Sequence, residues 1–132
     1  MRAVIRTAIL ADATLQSLGI VNGNHVLSGD VDSFAVRPFI NLKWGTTNPA
    51  PFGSAAQQTI LVAWVHDDPN DYERIDAILR RLRTIMTSLV GLPDVNDYVS
   101  QAAWTGDGPD LKDDGFRTIV RVGNYTLNGS AL

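Results

Sequence analysis

The apolar positions of the first eighteen residues recur at three- and four-residue intervals. Val4, Ile5, Ala8, Ile9, Ala11, Leu15 and Leu18 form one stripe, which predicts a helix over residues 2–18. Gly19 stands where a C-terminal glycine cap belongs. Residues 21–29 are turn-rich around Asn22, Gly23 and Asn24, and residues 30–36 fit a loop or a short edge strand. Over residues 37–44, Ile40, Leu42 and Trp44 alternate with Asn41 and Lys43, which predicts a strand. Residues 45–56, with Gly45, Asn48, Pro49, Pro51, Gly53 and Ser54, follow neither period and predict an exposed loop. Residues 57–66 alternate again, with Ile60, Val62 and Trp64 against Leu61, Ala63 and Val65. Apolar side chains on both sides predict a central strand covered on two faces. On that reading Trp64→Ala costs about 3–5 kcal/mol.

The second helix has the strongest pattern. Asp68 is a candidate N-cap, Pro69 fits the first helical position, and Asp71 puts an acid in the first turn. Tyr72, Ile75, Ile78, Leu79, Leu82, Ile85, Met86 and Leu89 make its stripe, and Gly91 with Pro93 stops it. Loss of the expected cap in Asp68→Ala would cost about 1 kcal/mol. Residues 98–105 and 116–122 predict two further strands joined by an acidic hairpin loop over residues 105–115. Residues 123–132 read as a polar C-terminal tail. The expected architecture is one α+β domain over residues 1–132, with an antiparallel or mixed sheet of about four strands packed by two helices in the order α-β-β-α-β-β.

Composition narrows the function classes. The 132 residues hold 11 Lys+Arg and 14 Asp+Glu, a net charge of −3, and no cysteine. An acidic balance argues against gripping nucleic acid by phosphate neutralisation. Without cysteine there is no disulfide, thiolate metal site or cysteine nucleophile. No apolar run approaches the 18 residues of a membrane span. Arg6 and Asp12 interrupt the N-terminal apolar stretch, against a secretory signal, so the sequons at Asn124 and Asn128 carry little weight. The expectation is a soluble chain of a cytoplasm. Residues 1–92 balance eight acids with eight bases, whereas residues 93–132 hold six acids against three bases. The whole deficit therefore lies around the acidic loop, in Asp94, Asp97, Asp107, Asp110, Asp113 and Asp114.

Catalytic signals are thin. His66-Asp67-Asp68 lacks metal-ligand spacing and reads as a strand end followed by an acidic turn. There is no nucleophile elbow, phosphate loop or dinucleotide fingerprint. Aligning Asp114-Gly115 to a calcium loop puts Lys112 at a ligand position and Arg121 where a bidentate glutamate is required, which defeats the match. Arg80, Arg81 and Arg83 suit the negative end of the helix dipole. Trp44, Trp64 and Trp104 fit packing better than base stacking, since no basic residues interleave with them. Phe52, a lone aromatic at the tip of the Gly/Pro-rich loop, is a candidate partner-facing anchor. No catalytic, metal or cofactor-binding residue is expected, and an enzyme is not the expected class.

The chain resembles the tail terminator proteins of long, flexible-tailed phages. The likeness is carried by Asp68-Pro69-Asn70-Asp71-Tyr72 with the continuation Ile75, Asp76, Ile78 and Leu79, by Trp104, by Asp110-Leu111-Lys112-Asp113-Asp114-Gly115, and by the strand Phe116-Arg117-Thr118-Ile119-Val120-Arg121. Element order and chain length fit from end to end. The resemblance implies a virion structural protein, assembled in the host cytoplasm, whose copies form a six-membered ring on the head-proximal end of the tail tube. Such a ring stops tube polymerisation, contacts the tube protein and the head-completion or stopper protein, and lets DNA pass through its lumen. It also implies that the long loop after the first strand joins an interface. The candidate contact residues are then Trp44, Asn48 and Phe52 around that loop, Asp107, Asp110, Asp113, Asp114 and Arg117 around the acidic loop, and Tyr125. The alternatives are a head–tail stopper or neck-completion protein and a small α+β ligand-binding or enzyme domain. The last would need a pocket with convergent polar groups near His66.

Overall fold

The apolar stripes and alternations fold around one mixed sheet. The computed structural model describes residues 1–29, 36–49, 56–89 and 96–132. In chain order the elements are α1 (Arg2–Ala11), α2 (Ala13–Ser17), a 3-10 turn (Gly23–His25), β1 (Val26–Ser28), β2 (Phe39–Pro49), β3 (Gln57–Asp67), α3 (Glu73–Ser88), β4 (Val99–Asp107), β5 (Leu111–Asp113) and β6 (Thr118–Gly129). The class is α+β as expected, but the described residues form a sheet of six strands rather than about four and three α-helices rather than two. Sheet order is β1-β2-β3-β6-β4, with β5 also on β6. All pairs are antiparallel except β1 with β2.

Several differences from the sequence pattern have identifiable causes. The first stripe is broken at Asp12, whose extended backbone ends α1 and whose side chain accepts from the Leu15 N–H at 2.9 Å to cap α2. Asp68 does not cap the following helix. Its carboxylate pairs with Arg37 at 3.0 Å, while Asp71 accepts from the Glu73 N–H at 2.9 Å. Residues 45–49 of the expected loop are strand, extending β2 beyond a bulge between Trp44 and Thr47. The acidic segment is not simply a loop, because Leu111–Asp113 pairs with β6 and leaves residues 114–117 as the turn. The supposed polar tail is the second half of β6, where Tyr125 and Leu127 are wholly buried.

Helices cover one face of the sheet. The core joins Ile5, Ile9 and Leu15 of the N-terminal helices, the α3 stripe, and Ile40, Leu42, Leu61, Ala63, Val65, Ile119, Tyr125 and Leu127 from the strands. Gly123 lets α3 approach β6 closely, since a Cβ there would lie 3.2 Å from Leu79. The Tyr125 hydroxyl has no hydrogen-bond partner among the described residues, and burial pushes its phenol pKa up. Because an unpaired buried hydroxyl costs free energy, Tyr125→Phe should be neutral or stabilising by about 1 kcal/mol in urea unfolding. A clear loss would show that the hydroxyl has a partner.

Candidate interaction surface

The strand register sorts the sheet residues onto two faces. Phe39, Asn41 and Lys43 of β2 stand opposite His66, Trp64 and Val62 of β3, which in turn stand opposite Val120, Val122 and Asn124 of β6. This is the face away from α1 and α3. Ile60 is 47% exposed. Val62, Trp64, Asn124 and Thr126 are half-buried, while Lys43, Gln101 and Ala103 are exposed. The strand β3 is therefore central, but its second face is only partly covered. The Lys43 ammonium lies 5.4 Å from the Trp64 ring centre, shielding part of the ring. Trp64→Ala should accordingly cost about 1–2 kcal/mol, below the 3–5 kcal/mol of a core tryptophan. A chemical-denaturation loss in that upper range would show the face to be covered. Sequence reasoning missed this face because Ile60, Val62 and Trp64 are as apolar as their core-facing neighbours. The polar partners Lys43, Asn124 and Thr126 were the available signal.

At one end the same face holds a small aromatic cluster. Phe39 stacks on the His66 ring with centroids 4.3 Å apart, and Phe116 meets both rings edge-on at 5.5 and 5.4 Å. Nδ1 of His66 is 2.8 Å from the Thr118 hydroxyl. Burial drives the His66 pKa down to about 4; nearby Asp113 opposes that shift, while Lys43 and Arg37 reinforce it. A neutral, packed imidazole of this kind serves the fold.

The helix-facing side carries a line of arginine–carboxylate contacts along α3 and the N-terminal helices. Arg81 grips Asp12 with both Nε and Nη2, at 2.7–3.1 Å, and these bonds hold the Asp12 carboxyl below its usual range. Arg83 stacks 3.5 Å over the Trp104 ring, and Asp107 accepts from both Arg83 (3.1 Å) and the Trp104 indole (3.0 Å). Arg121 donates to Asp76 at 2.6 Å and to the Gly108 carbonyl at 3.0 Å, with Asp110 3.5 Å away. Two members of the arginine cluster are thus consumed internally, and Arg80 is exposed. The acidic segment is partly neutralised in the same way.

The sequence-predicted contact residues consequently do not form one patch. Trp44 faces the core side half-buried, with the Arg2 guanidinium 5.3 Å from its ring. Asn48 is exposed near the end of β2, beyond its pairing with β1. Asp113 accepts from the Phe116 N–H at 3.0 Å and shapes the turn, where Asp114 and Arg117 are exposed and Arg117 takes φ 56°. Tyr125 is 1% exposed and offers no surface. Phe52 and Asp94 lie outside the described residues.

A cleft of about 500 Å³ opens beside the start of α3, lined by Leu18, Asp67, Asp68, Asn70, Asp71, Glu73, Arg74 and Ala77. Asp67 is committed to Arg74, which donates from Nε at 2.7 Å and from Nη2. The neighbouring His66 ring packs among Phe39, Phe116 and Thr118. Among the described residues no three His, Asp or Glu side chains converge to hold a metal ion, and no helix is long and apolar enough to cross a membrane. In comparisons with known proteins, no family model matches the chain and no curated protein matches its sequence.

Proposed function

We propose that this protein is a tail-terminator-like virion subunit. Copies of it form a ring on the head-proximal end of a phage tail tube, stop tube polymerisation and join the tail to the head-completion proteins. It works by contact, without chemistry. The observation that carries this reading is the one-sided sheet: helices pack on one face, while the other presents Ile60, Val62, Trp64, Asn124, Thr126 and Ala103 on rigid strands. A broad surface of mixed polarity held by a stiff sheet suits protein–protein contact. The ordered motifs from Asp68 to Arg121 support the specific assignment. The open face also suits a protein past which DNA travels, since of its exposed residues Lys43, Ile60, Gln101 and Ala103 only Lys43 is charged and phosphates would find little to grip there.

The test is assembly. Light scattering at rising concentration, with and without the tube protein, should reveal six-subunit rings and tubes that cease to grow. A protein that stays monomeric at every concentration and leaves tube length unchanged would end the reading. Rings that bind the portal-side adaptor but not the tube protein would identify a stopper instead.

A further inference from the structure

Beyond its short pairing with β1, β2 has an edge with no strand partner among the described residues, as does β4, and the two edges match one another. Among the described residues β4 pairs only with β6, along its whole length, and β2 meets β1 only at Ile40, Asn41 and Leu42. Beyond that point β2 has, among the described residues, β3 on one side alone. The two open stretches occupy the same rungs. One rung runs Leu42–Ala63–Gly123–Asp107, another Trp44–Leu61–Tyr125–Trp104, and the last Pro49–Gln57–Gly129–Val99. Both β2 and β4 are bulged next to the same rung, after Trp44 and after Trp104, so the edges bend at the same level. Residues 44–49 and 99–106 carry no charge. Long edges of this kind are templates for pairing, and proteins that must stay apart place lysine, proline or inward charges along them. Here Lys43 and Pro49 stand only at the ends of one edge, and Asp107, at the end of the other, is turned toward Arg83.

Strand sense selects the partner. Successive antiparallel pairings make β2 and β4 run in opposite directions within one subunit. In a second copy rotated about an axis roughly along the strands, β4 keeps its direction and meets the first copy's β2 antiparallel. We propose that residues 43–49 of β2 pair edge-to-edge with β4 of a neighbouring copy, so that the sheets of successive subunits join into one continuous wall. The contact is heterologous, one edge meeting a different edge, and it repeats around a closed ring. This rests on the ring reading above and gives it a bonding scheme.

The chain has no cysteine, so introduced thiols report neighbours cleanly. Asn48, Gln101 and Ala103 are exposed and lie on the same face of the sheet. Asn48→Cys should be combined with Gln101→Cys or with Ala103→Cys, two staggers that preserve the face, and circular dichroism should match wild type. Under mild oxidation at least one double variant should give a ladder of cross-linked species up to the ring size on non-reducing gels, and no single variant should. Rings seen by light scattering without any ladder would overturn the edge pairing while leaving the ring reading intact. Dimers from a single-cysteine variant would show a two-fold, edge-to-itself contact and overturn it too. Absence of any assembly would remove both.

Discussion

Gly129→Ala should destabilise the protein by about 3 kcal/mol or more. A Cβ at this position would lie 2.2 Å from the Tyr98 carbonyl oxygen and 2.8 Å from two atoms of the Met1 side chain. Methionine can move, but the Tyr98 backbone is held from both sides. The Ser130 N–H donates to the Tyr98 carbonyl at 3.0 Å, and the Tyr98 N–H donates to the Ser130 hydroxyl at 2.9 Å. Asp97 next door accepts from the Val4 N–H at 3.0 Å and pairs with the Met1 amine. Burial raises the Asp97 pKa, yet the amine, the Val4 N–H and Ser130 outweigh it and leave the carboxyl below its usual range. The alanine must therefore push apart a junction that ties α1, the approach to β4 and the end of β6 together. Urea unfolding at neutral pH reads the loss. A cost under 1 kcal/mol would mean that β4 shifts freely at this rung.

Acidification should remove about 3 kcal/mol of stability between pH 6.5 and pH 4, through His66 alone. Its folded pKa is lowered from 6.5 to about 4. In that interval the unfolded chain binds a proton that the folded chain refuses, so stability is full above pH 6.5 and falls as pH falls. Each pKa unit is about 1.4 kcal/mol. The lowered carboxyls of Asp12 and Asp97 act at lower pH, because their stabilisation is lost only as pH drops below the ordinary aspartate value of 3.8. Unfolding midpoints measured from pH 7 to pH 4 should slope for wild type and flatten for His66→Gln, which lacks the titrating ring. An equal slope in both proteins would place the proton uptake elsewhere.

How much of this was legible in the sequence depended on whether a side chain announced its surroundings. The α3 stripe from Ile75 to Met86 and the alternation around Ile40 and Leu61 did so, because burial there is periodic. The second half of β6 did not. Its core-facing positions include Gly123 and Gly129, which carry no side chain to mark them, and its other face carries Asn124, Thr126 and Asn128, so the strand imitated a tail. Asp12 looked like a polar gap in a continuing stripe; only its partners Leu15 and Arg81 reveal a helix break. The acidic residues were legible as a cluster but not as individuals. Asp107 and Asp110 meet arginines 24 and 11 residues away in sequence, contacts that composition cannot foresee. The negative charge concentrated after residue 92 is therefore partly spent inside the subunit, through Asp97 and Asp107, while Asp110 and Asp114 are exposed.

The position of β6 has a consequence for biosynthesis. It leaves the ribosome after the other described strands, yet it lies between β3 and β4 and lines β5 as well. Until it emerges, β3 has lost one of its two ladders, α3 has only part of its floor, and β4 and β5 have no strand to join. The nascent chain thus holds its helices and a β2–β3 hairpin but no closed core, and its non-local pairings must wait for the final segment. Closure of the core is expected to wait for β6 to emerge rather than to proceed as the earlier elements are made. A ribosome-bound chain stalled just before Thr118 should remain sensitive to protease, and one stalled with β6 fully outside the exit tunnel should become resistant.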